Sequence, residues 1–295
     1  MSSARPLVSI VTPSYDQGEF IEATVLSVRN QTYRPLEHIV VDGGSTDRTV
    51  EVLKRYEGQY DLRWLSEPDR GQSDALNKGF RLVHGEIVGW LNSDDVYFST
   101  RTVETAVAAF ERHPDADLVY GDYVLVDRLG EVFRIAPVLR RLTAERLYFH
   151  CIGQPSVFFR ASVLARHQVR LDLHFLFDHE LWMRLVKRST FTYVPAILAG
   201  SRAHPDTKSF GASRRAREVL DGIRREHYAP SLVRSWPLEP ILSRLVAAWL
   251  RLRGLAWLPR IYRAELAFPG GIPPPLRLLA LQLLMPSPRY VMKRR

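Results

Sequence analysis

Two periodicities alternate along the first hundred residues. Leu7-Val8-Ser9-Ile10-Val11 is a short apolar run that stops at Thr12-Pro13-Ser14-Tyr15-Asp16, and it reads as a strand. From Glu19 to Asn30 the period lengthens, with Ile21, Val25 and Val28 on one helical face. Leu36 to Val41 is a second strand, closed by Asp42-Gly43-Gly44-Ser45, and Ser45 or Thr46 is placed to cap a helix running to Tyr56 with Val50 and Leu53 inward. Leu62 to Leu65 predicts a third strand and Ser73 to Val83 a third helix; Ile87-Val88-Gly89-Trp90-Leu91 then predicts a buried fourth strand. Strand and helix alternating in this way predict an α/β chain built from βαβ units around a mostly parallel sheet. A polar cluster follows each of the four strands. In such a sheet these clusters share the carboxyl edge, where ligands bind.

The middle of the chain is less regular. Thr100 to Arg112 predicts a helix, Leu118 to Val126 and Glu131 to Ile135 a hairpin turning through Asp127 to Gly130, and Gln154 to Arg160 a further strand. Asp178 to Lys187 reads as a helix with Leu181, Leu185 and Trp182 inward, and Phe191 to Val194 and Ile197 to Gly200 as two short strands. Past Ala212 the character changes. Arg214 to Tyr228 is a charged helix, and after Pro230 the only acids are Glu239 and Glu265. Leu242, Leu245, Val246, Trp249 and Leu252 follow helical spacing with Arg244, Arg251 and Arg253 on the flanks, a basic amphipathic pattern. Such a helix either lies on an anionic membrane surface through residues 231–295 or packs on the rest of the chain or on a second copy in a homodimer. The expected organisation is a first half over 1–125, a second half of the same domain over 126–212, and a helical segment over 213–295.

The net charge of +9 suits an anionic partner such as a nucleoside diphosphate, a nucleic acid or an acidic membrane. Cys151 is the sole cysteine, so no intrachain disulfide forms and a reducing compartment is expected. The N-terminus lacks the apolar core of a signal peptide, and no segment approaches the roughly 20 apolar residues of a membrane span.

The chemistry concentrates at Trp90-Leu91-Asn92-Ser93-Asp94-Asp95, where the chain leaves the fourth strand and presents two adjacent carboxylates. Hard oxygen donors at a sheet edge suit Mg²⁺ or Mn²⁺, which bind through one or two carboxylates plus substrate phosphates. The same residues are also ordinary turn formers, and at this point both readings stand.

Thr12-Pro13-Ser14-Tyr15, Val41-Asp42-Gly43-Gly44-Ser45-Thr46-Asp47, Ser66 through Ala75 (Ser-Glu-Pro-Asp-Arg-Gly-Gln-Ser-Asp-Ala) and Asn92-Ser93-Asp94-Asp95 occur in order at strand ends. Together they resemble the family 2 glycosyltransferases of the GT-A fold, an inverting group that builds bacterial polysaccharides; the resemblance covers about residues 5 to 210. It implies a Rossmann-like, mostly parallel central sheet flanked by helices, with a C-terminal helical extension outside the resemblance. It further implies a nucleotide-sugar donor, probed first as a UDP-sugar. Pro13 and Tyr15 would line the base, Asp42 would hydrogen-bond it, and Arg70 and Asp74 would complete the pocket. Asn-Ser-Asp-Asp corresponds to the family's metal motif, making Asp95 the direct Mn²⁺ or Mg²⁺ ligand and Asp94 a contact to ribose or a metal-bound water. Phe177-Asp178-His179-Glu180 resembles the segment that supplies the catalytic base: Asp178 is the first choice, Glu180 or His179 the alternatives, and a simple helix cap the structural reading. Gln154 would reach acceptor or donor sugar, Arg202 the phosphates, and His204 the metal or diphosphate, although a lone histidine is as often structural.

A transferase of this kind would act on a glycan or lipid-linked glycan at the cytoplasmic side, peripherally on the inner membrane face. The competing enzyme reading is a GT-A-like nucleotidyltransferase, but the loop after the first strand, Thr-Pro-Ser-Tyr-Asp-Gln-Gly, carries no Lys or Arg. A non-catalytic basic protein binding nucleic acid or membrane is the reading from another class. The basic residues lack the aromatic interleaving of an RNA-binding sheet, so no nucleic acid is expected.

Overall fold

The computed structural model describes residues 5–149, 151–204, 214–228 and 239–284. The first ninety residues form β1 (Val8–Ser14), α1 (Ile21–Arg29), β2 (Leu36–Asp42), α2 (Thr49–Tyr56), β3 (Leu62–Ser66), α3 (Gln72–Arg81) and β4 (Ile87–Trp90). The four strands are mutually parallel in the order β3-β2-β1-β4. β1, β2 and β4 are buried at every position, as expected of parallel strands covered on both faces. Ile21, Val25 and Val28 of α1 are fully buried, as is Leu53 of α2; beside it the inward partner is Val52, while Val50 is half-buried. α3 lies so close to β1 that a side chain on Gly79 would collide with Val11.

Register levels the strand ends. Ser14 pairs with Asp42 and Asp42 with Ser66, while Val11 pairs with Trp90. Continuing that last register brings the Asn92–Asp95 turn to the level of Ser14. The polar clusters therefore share one edge, as the βαβ pattern predicts.

The second half adds β5 (Val96–Tyr97), α4 (Thr102–Arg112), β6 (Leu118–Val126), β7 (Val132–Ala136), α5 (Ala144–Phe149), β8 (Val157–Arg160), α6 (Ala161–Arg166), α7 (Phe177–Leu185) and β9 (Phe191–Arg202). β8 runs antiparallel between β4 and β6, β9 is parallel to β6, and β5 is antiparallel to β9. Three differences from the sequence reading follow from pairing. Gln154–Ser156 is a turn of 3-10 helix, and the strand starts at Val157. The two short strands expected between Phe191 and Gly200 are one, because β6 pairs along their whole length and a bulge near Pro195 absorbs the break. β5, two residues long, carries no sequence signal and exists because β9 supplies its partner. The predicted hairpin is present, its turn held by Asp127 accepting the Leu129 and Glu131 N–H groups at 2.9 Å.

α8 (Arg214–His227), α9 (Glu239–Gly254), a 3-10 turn at Leu255–Trp257, α10 (Leu258–Ile261) and α11 (Pro275–Leu284) complete the described chain. Ile261, Phe268 and Leu278 share an apolar cluster with Val124, Val132 and Ile135 of the β6–β7 hairpin. Gln282 pairs with the β7 main chain, accepting from Ile135 N at 2.9 Å and donating to Ile135 O at 3.0 Å. The fully buried Asp122 carboxylate of β6 receives Arg253 Nη2 at 2.9 Å, Trp257 Nε1 at 2.7 Å, Tyr193 Oη at 2.9 Å and Val138 N at 2.8 Å. These described parts of the C-terminal segment thus pack on the same chain. No helix among the described residues is long and apolar enough to cross a membrane.

His38 of β2 is fully buried between Thr12 Oγ1 at 2.9 Å and Tyr60 Oη at 2.8 Å, and burial pushes its imidazole from the ordinary 6.5 down to about 3. The unfolded chain takes up a proton here that the folded chain refuses, so this contribution to stability is complete above pH 6.5 and falls as pH drops toward 3. In urea titrations across that window, His38→Gln should lose a slope of about 1.4 kcal/mol per pH unit relative to the parent.

Candidate active site

The strand-end loops are built from carboxylates that accept main-chain N–H groups. Asp42 Oδ2 accepts Ser45 N at 2.8 Å, Gly44 N at 3.2 Å and Ser66 Oγ at 2.6 Å, and Oδ1 accepts the Ser45 hydroxyl. Asp16 ties the first loop to the second: its N–H donates to Ser45 Oγ at 2.7 Å and its carboxylate accepts Thr46 N at 2.9 Å. Pro13 is buried in β1, and Tyr15 stands 60% exposed at the strand's end. On the neighbouring loop Arg70 and Asp74 form an ion pair at 3.1 Å, whose hydrogen bond holds the Asp74 carboxyl below its ordinary range. Gly71, at φ +108, precedes α3 in a conformation that favours glycine.

At the end of β4 the chain turns through Asn92–Asp95, and Thr24 of α1 donates to the carbonyls of Ser93 at 2.9 Å and Asp95 at 2.7 Å. Asn92 Oδ1 accepts Trp90 Nε1 and Gln72 Nε2, both at 2.9 Å. Asp95 is buried; its Oδ1 accepts Arg202 N at 2.9 Å and its Oδ2 faces Asn92 Nδ2 at 3.3 Å. Burial and then the adjacent Asp94 charge push the Asp95 carboxyl well above its usual range. Asp94 keeps about a fifth of its side chain exposed, with Oδ2 at 3.2 Å from His204 Nε2.

Arg202 and His204 reach this turn through register. β5 pairs Val96 with Gly200 in antiparallel sense, which sets Arg202 against Asp94. Arg202 is buried, donating through Nε to Asp94 O at 2.8 Å and through Nη1 to Asp127 O and Arg128 O at 2.9 Å each. It therefore braces the main chain around the carboxylates. Phe20, at the entry to α1, lies under both groups, 4.6 Å from the His204 ring and 5.2 Å from the Arg202 guanidinium.

Asp178 enters from the other half. Leu176 adopts φ +61 immediately before α7, one of two non-glycine positive-φ residues among those described; the other is Asp16. Both flank the site, where such strain collects. The ring of Phe177 stacks on Trp90 at 5.7 Å, and Trp182 packs 6.5 Å from Trp90, so α7 is seated on the end of β4. Burial raises the Asp178 carboxyl above its ordinary range, and Asp178 sits near enough to Cys151 to push that thiol up further. Glu180, two residues on, is fully buried and bound by Arg184 at 3.1 and 2.9 Å, with His227 of α8 at 3.3 Å. Gln154 donates to Trp90 O at 2.6 Å, while its buried Oε1 and the buried Ser14 hydroxyl have no hydrogen-bond partner among the described residues.

The structure thus gathers Pro13, Tyr15, Asp42, Arg70, Asp74, Asp94, Asp95, Gln154, Arg202 and His204 along one edge, and braces Asp178 against it through Trp90. No three His, Cys, Asp or Glu side chains among the described residues converge as a ready-made cation site. The chemistry of the donor set nevertheless fits Mg²⁺ or Mn²⁺: two neighbouring carboxylates supply hard oxygen donors. The sequence reading missed Phe20 and Thr24. Thr24 had a usable signal, a polar residue on the apolar side of α1; Phe20 had none.

A carboxyl with a raised folded value stabilises the fold in its protonated form, and that contribution is lost as pH rises through the raised value. At neutral pH Asp95 thus works against folding. Asp95→Asn should raise the melting temperature of EDTA-treated protein at neutral pH, with the gain shrinking toward the ordinary carboxylate range; scanning fluorimetry against pH checks this.

The profile of Glycosyl transferase family 2 matches residues 9–162, more than half of the chain. An uncharacterized glycosyltransferase of Mycobacterium tuberculosis is 31% identical over 231 residues, covering 76% of this chain and 84% of the relative. A PGL/p-HBAD biosynthesis glycosyltransferase of Mycobacterium bovis is 32% identical over 124 residues, 41% of this chain and 48% of the relative. Among solved structures, S. aureus TarS 1-349 in complex with UDP-GlcNAc aligns with TM-score 0.62 at 18% identity, over 85% of this chain and 73% of that one. The mannosyltransferase PcManGT of Pyrobaculum calidifontis, in complex with GDP-Man and Mn²⁺, aligns with TM-score 0.61 at 20% identity, over 99% and 84%. The chain has the GT-A fold of these glycosyltransferases and belongs to glycosyl transferase family 2.

Proposed function

We propose that this glycosyltransferase moves a sugar, with inversion, from a nucleoside-diphosphate sugar, UDP-linked as the first choice, to a hydroxyl of a glycan or lipid-linked glycan. The single observation that carries the reading is the pairing of two carboxylate sites across one edge: Asp94–Asp95 at the end of β4 and Asp178 at the start of α7, joined by the Trp90–Phe177 stack. The ligands named in the solved neighbours, UDP-GlcNAc and GDP-Man with Mn²⁺, support the donor class and the cation.

In this reading Tyr15 and Pro13 flank the base, and Asp42 and the Arg70–Asp74 pair shape the pocket around base and ribose. Asp95, with Asp94 and His204 alongside, would hold Mn²⁺ or Mg²⁺, which would supply positive charge for the diphosphate. Asp178 takes the proton of the acceptor hydroxyl as its oxygen bonds to the anomeric carbon and the bond from that carbon to the diphosphate oxygen breaks. A carboxyl raised by burial is a stronger base than an exposed one. Glu180, whose two oxygens both accept from Arg184, serves better as the clamp that holds α7 than as a base. The free Gln154 Oε1 and Ser14 hydroxyl offer acceptors to sugar or nucleotide hydroxyls.

Calorimetric titration of UDP with Mn²⁺ should show binding that Asp95→Ala abolishes and Asp178→Asn leaves intact. With a membrane-lipid and glycan extract as acceptor, Asp178→Asn should release UDP from the donor about 10²-fold or more slower than the parent. Absence of binding by UDP, GDP and dTDP alike would sink the donor assignment; full activity in Asp178→Asn would sink the base.

A further inference from the structure

α9 is turned the wrong way round for a helix that only packs on its own chain. Leu245, Trp249 and Leu252 fall on one stripe at helical spacing and are 61%, 52% and 59% exposed. The side toward the body carries Leu250, Gly254 against Gln282, and Arg253, which donates to buried Asp122. The helix is thus fastened by a buried ion pair and hydrogen bonds, while its largest apolar side chains face water. An apolar stripe held outward in this way marks an interaction surface.

Charge identifies the occupant. The chain holds 41 basic and 32 acidic residues; residues 231–295 hold eleven basic and two acidic, leaving thirty of each in the first 230. The whole net charge of +9 is therefore carried by this segment. Exposed Arg244 precedes Leu245 on α9, and exposed Arg260 and Arg263 follow on α10 and just beyond it. A second copy meeting this face would bring like charge against like charge. A bilayer of acidic lipids answers both features, taking the apolar side chains below its headgroups and the arginines among them.

We propose that the outer face of α9 docks on an anionic lipid bilayer, with Leu245, Trp249 and Leu252 inserted and Arg244 against the headgroups. The anchor connects directly to the catalytic domain: Asp122 adjoins Tyr123, whose ring packs against Gly153 beside Gln154. Docking would hold that side of the cleft near the membrane, and it stands independently of which donor the enzyme uses.

Co-sedimentation of the full chain with vesicles tests this. Binding to phosphatidylcholine vesicles containing phosphatidylglycerol should exceed binding to phosphatidylcholine alone by about tenfold or more and weaken as NaCl is raised. Leu245→Ser/Trp249→Ser/Leu252→Ser should lower it by about tenfold or more, with UDP binding unchanged. If the triple variant does not fold, Leu245→Glu alone carries the same expectation. Equal sedimentation of variant and parent would overturn the proposal, as would no binding to anionic vesicles. So would light scattering that shows a dimer lost in the variant, since the stripe would then belong to a second copy.

Discussion

Two neighbouring carboxylates at the end of a buried strand are the constraint around which the rest is arranged. Asp95 lies out of water beside Asp94, and burial first, then the Asp94 charge, disfavours its ionisation. The fold answers with oriented donors: Arg202 N to Asp95, His204 to Asp94, Asn92 to Asp95, and Thr24 to the carbonyls of the turn. They come from three elements: Thr24 from α1, Asn92 from the end of β4, and Arg202 and His204 from the end of β9 and just beyond it. α1, β4 and β9 must therefore all be in place before the turn has its shape, and β5 exists to hold β9 against it. A buried carboxyl that costs folding free energy, Asp95, is retained where a cation and phosphates would use it.

The second carboxylate site depends on aromatic packing. Phe177 and Trp182 close around Trp90, and Phe159 stacks on Trp182, so the residue that ends β4 also seats α7. The position of Asp178 relative to Asp94–Asp95 is set by rigid rings on a sheet, a firmer coupling than a loop would give. Glu180, Arg184 and His227 tie the next turn of α7 to α8, stiffening the support from behind.

The C-terminal segment repeats the device. A buried carboxylate, Asp122, receives Arg253, Trp257 and Tyr193, and a glutamine amide, Gln282, mimics a strand on the free edge of β7. Polar anchoring of this kind leaves the apolar side of α9 available. The reading of residues 242–252 as a basic amphipathic helix fits the described stretch; Leu242 lies outside the side chains described. Amphipathicity alone could not say which face turns inward, because Arg253 finds its carboxylate 131 residues earlier in the chain.

The amino-acid sequence by itself determined the four parallel strands, the helices between them and the edge on which Asp42, Asp74, Asp94 and Asp95 gather. Those features follow from local periodicity, turn residues and the handedness of βαβ units, all of which are written in short windows. Only the tertiary structure decided that Arg202 turns its guanidinium to main-chain carbonyls, that His227 comes within 3.3 Å of Glu180, that Phe20 underlies His204, and that β5 exists. Each of these is a pairing between segments tens to more than a hundred residues apart, set by strand register and by the satisfaction of buried polar groups. No local window contains both partners.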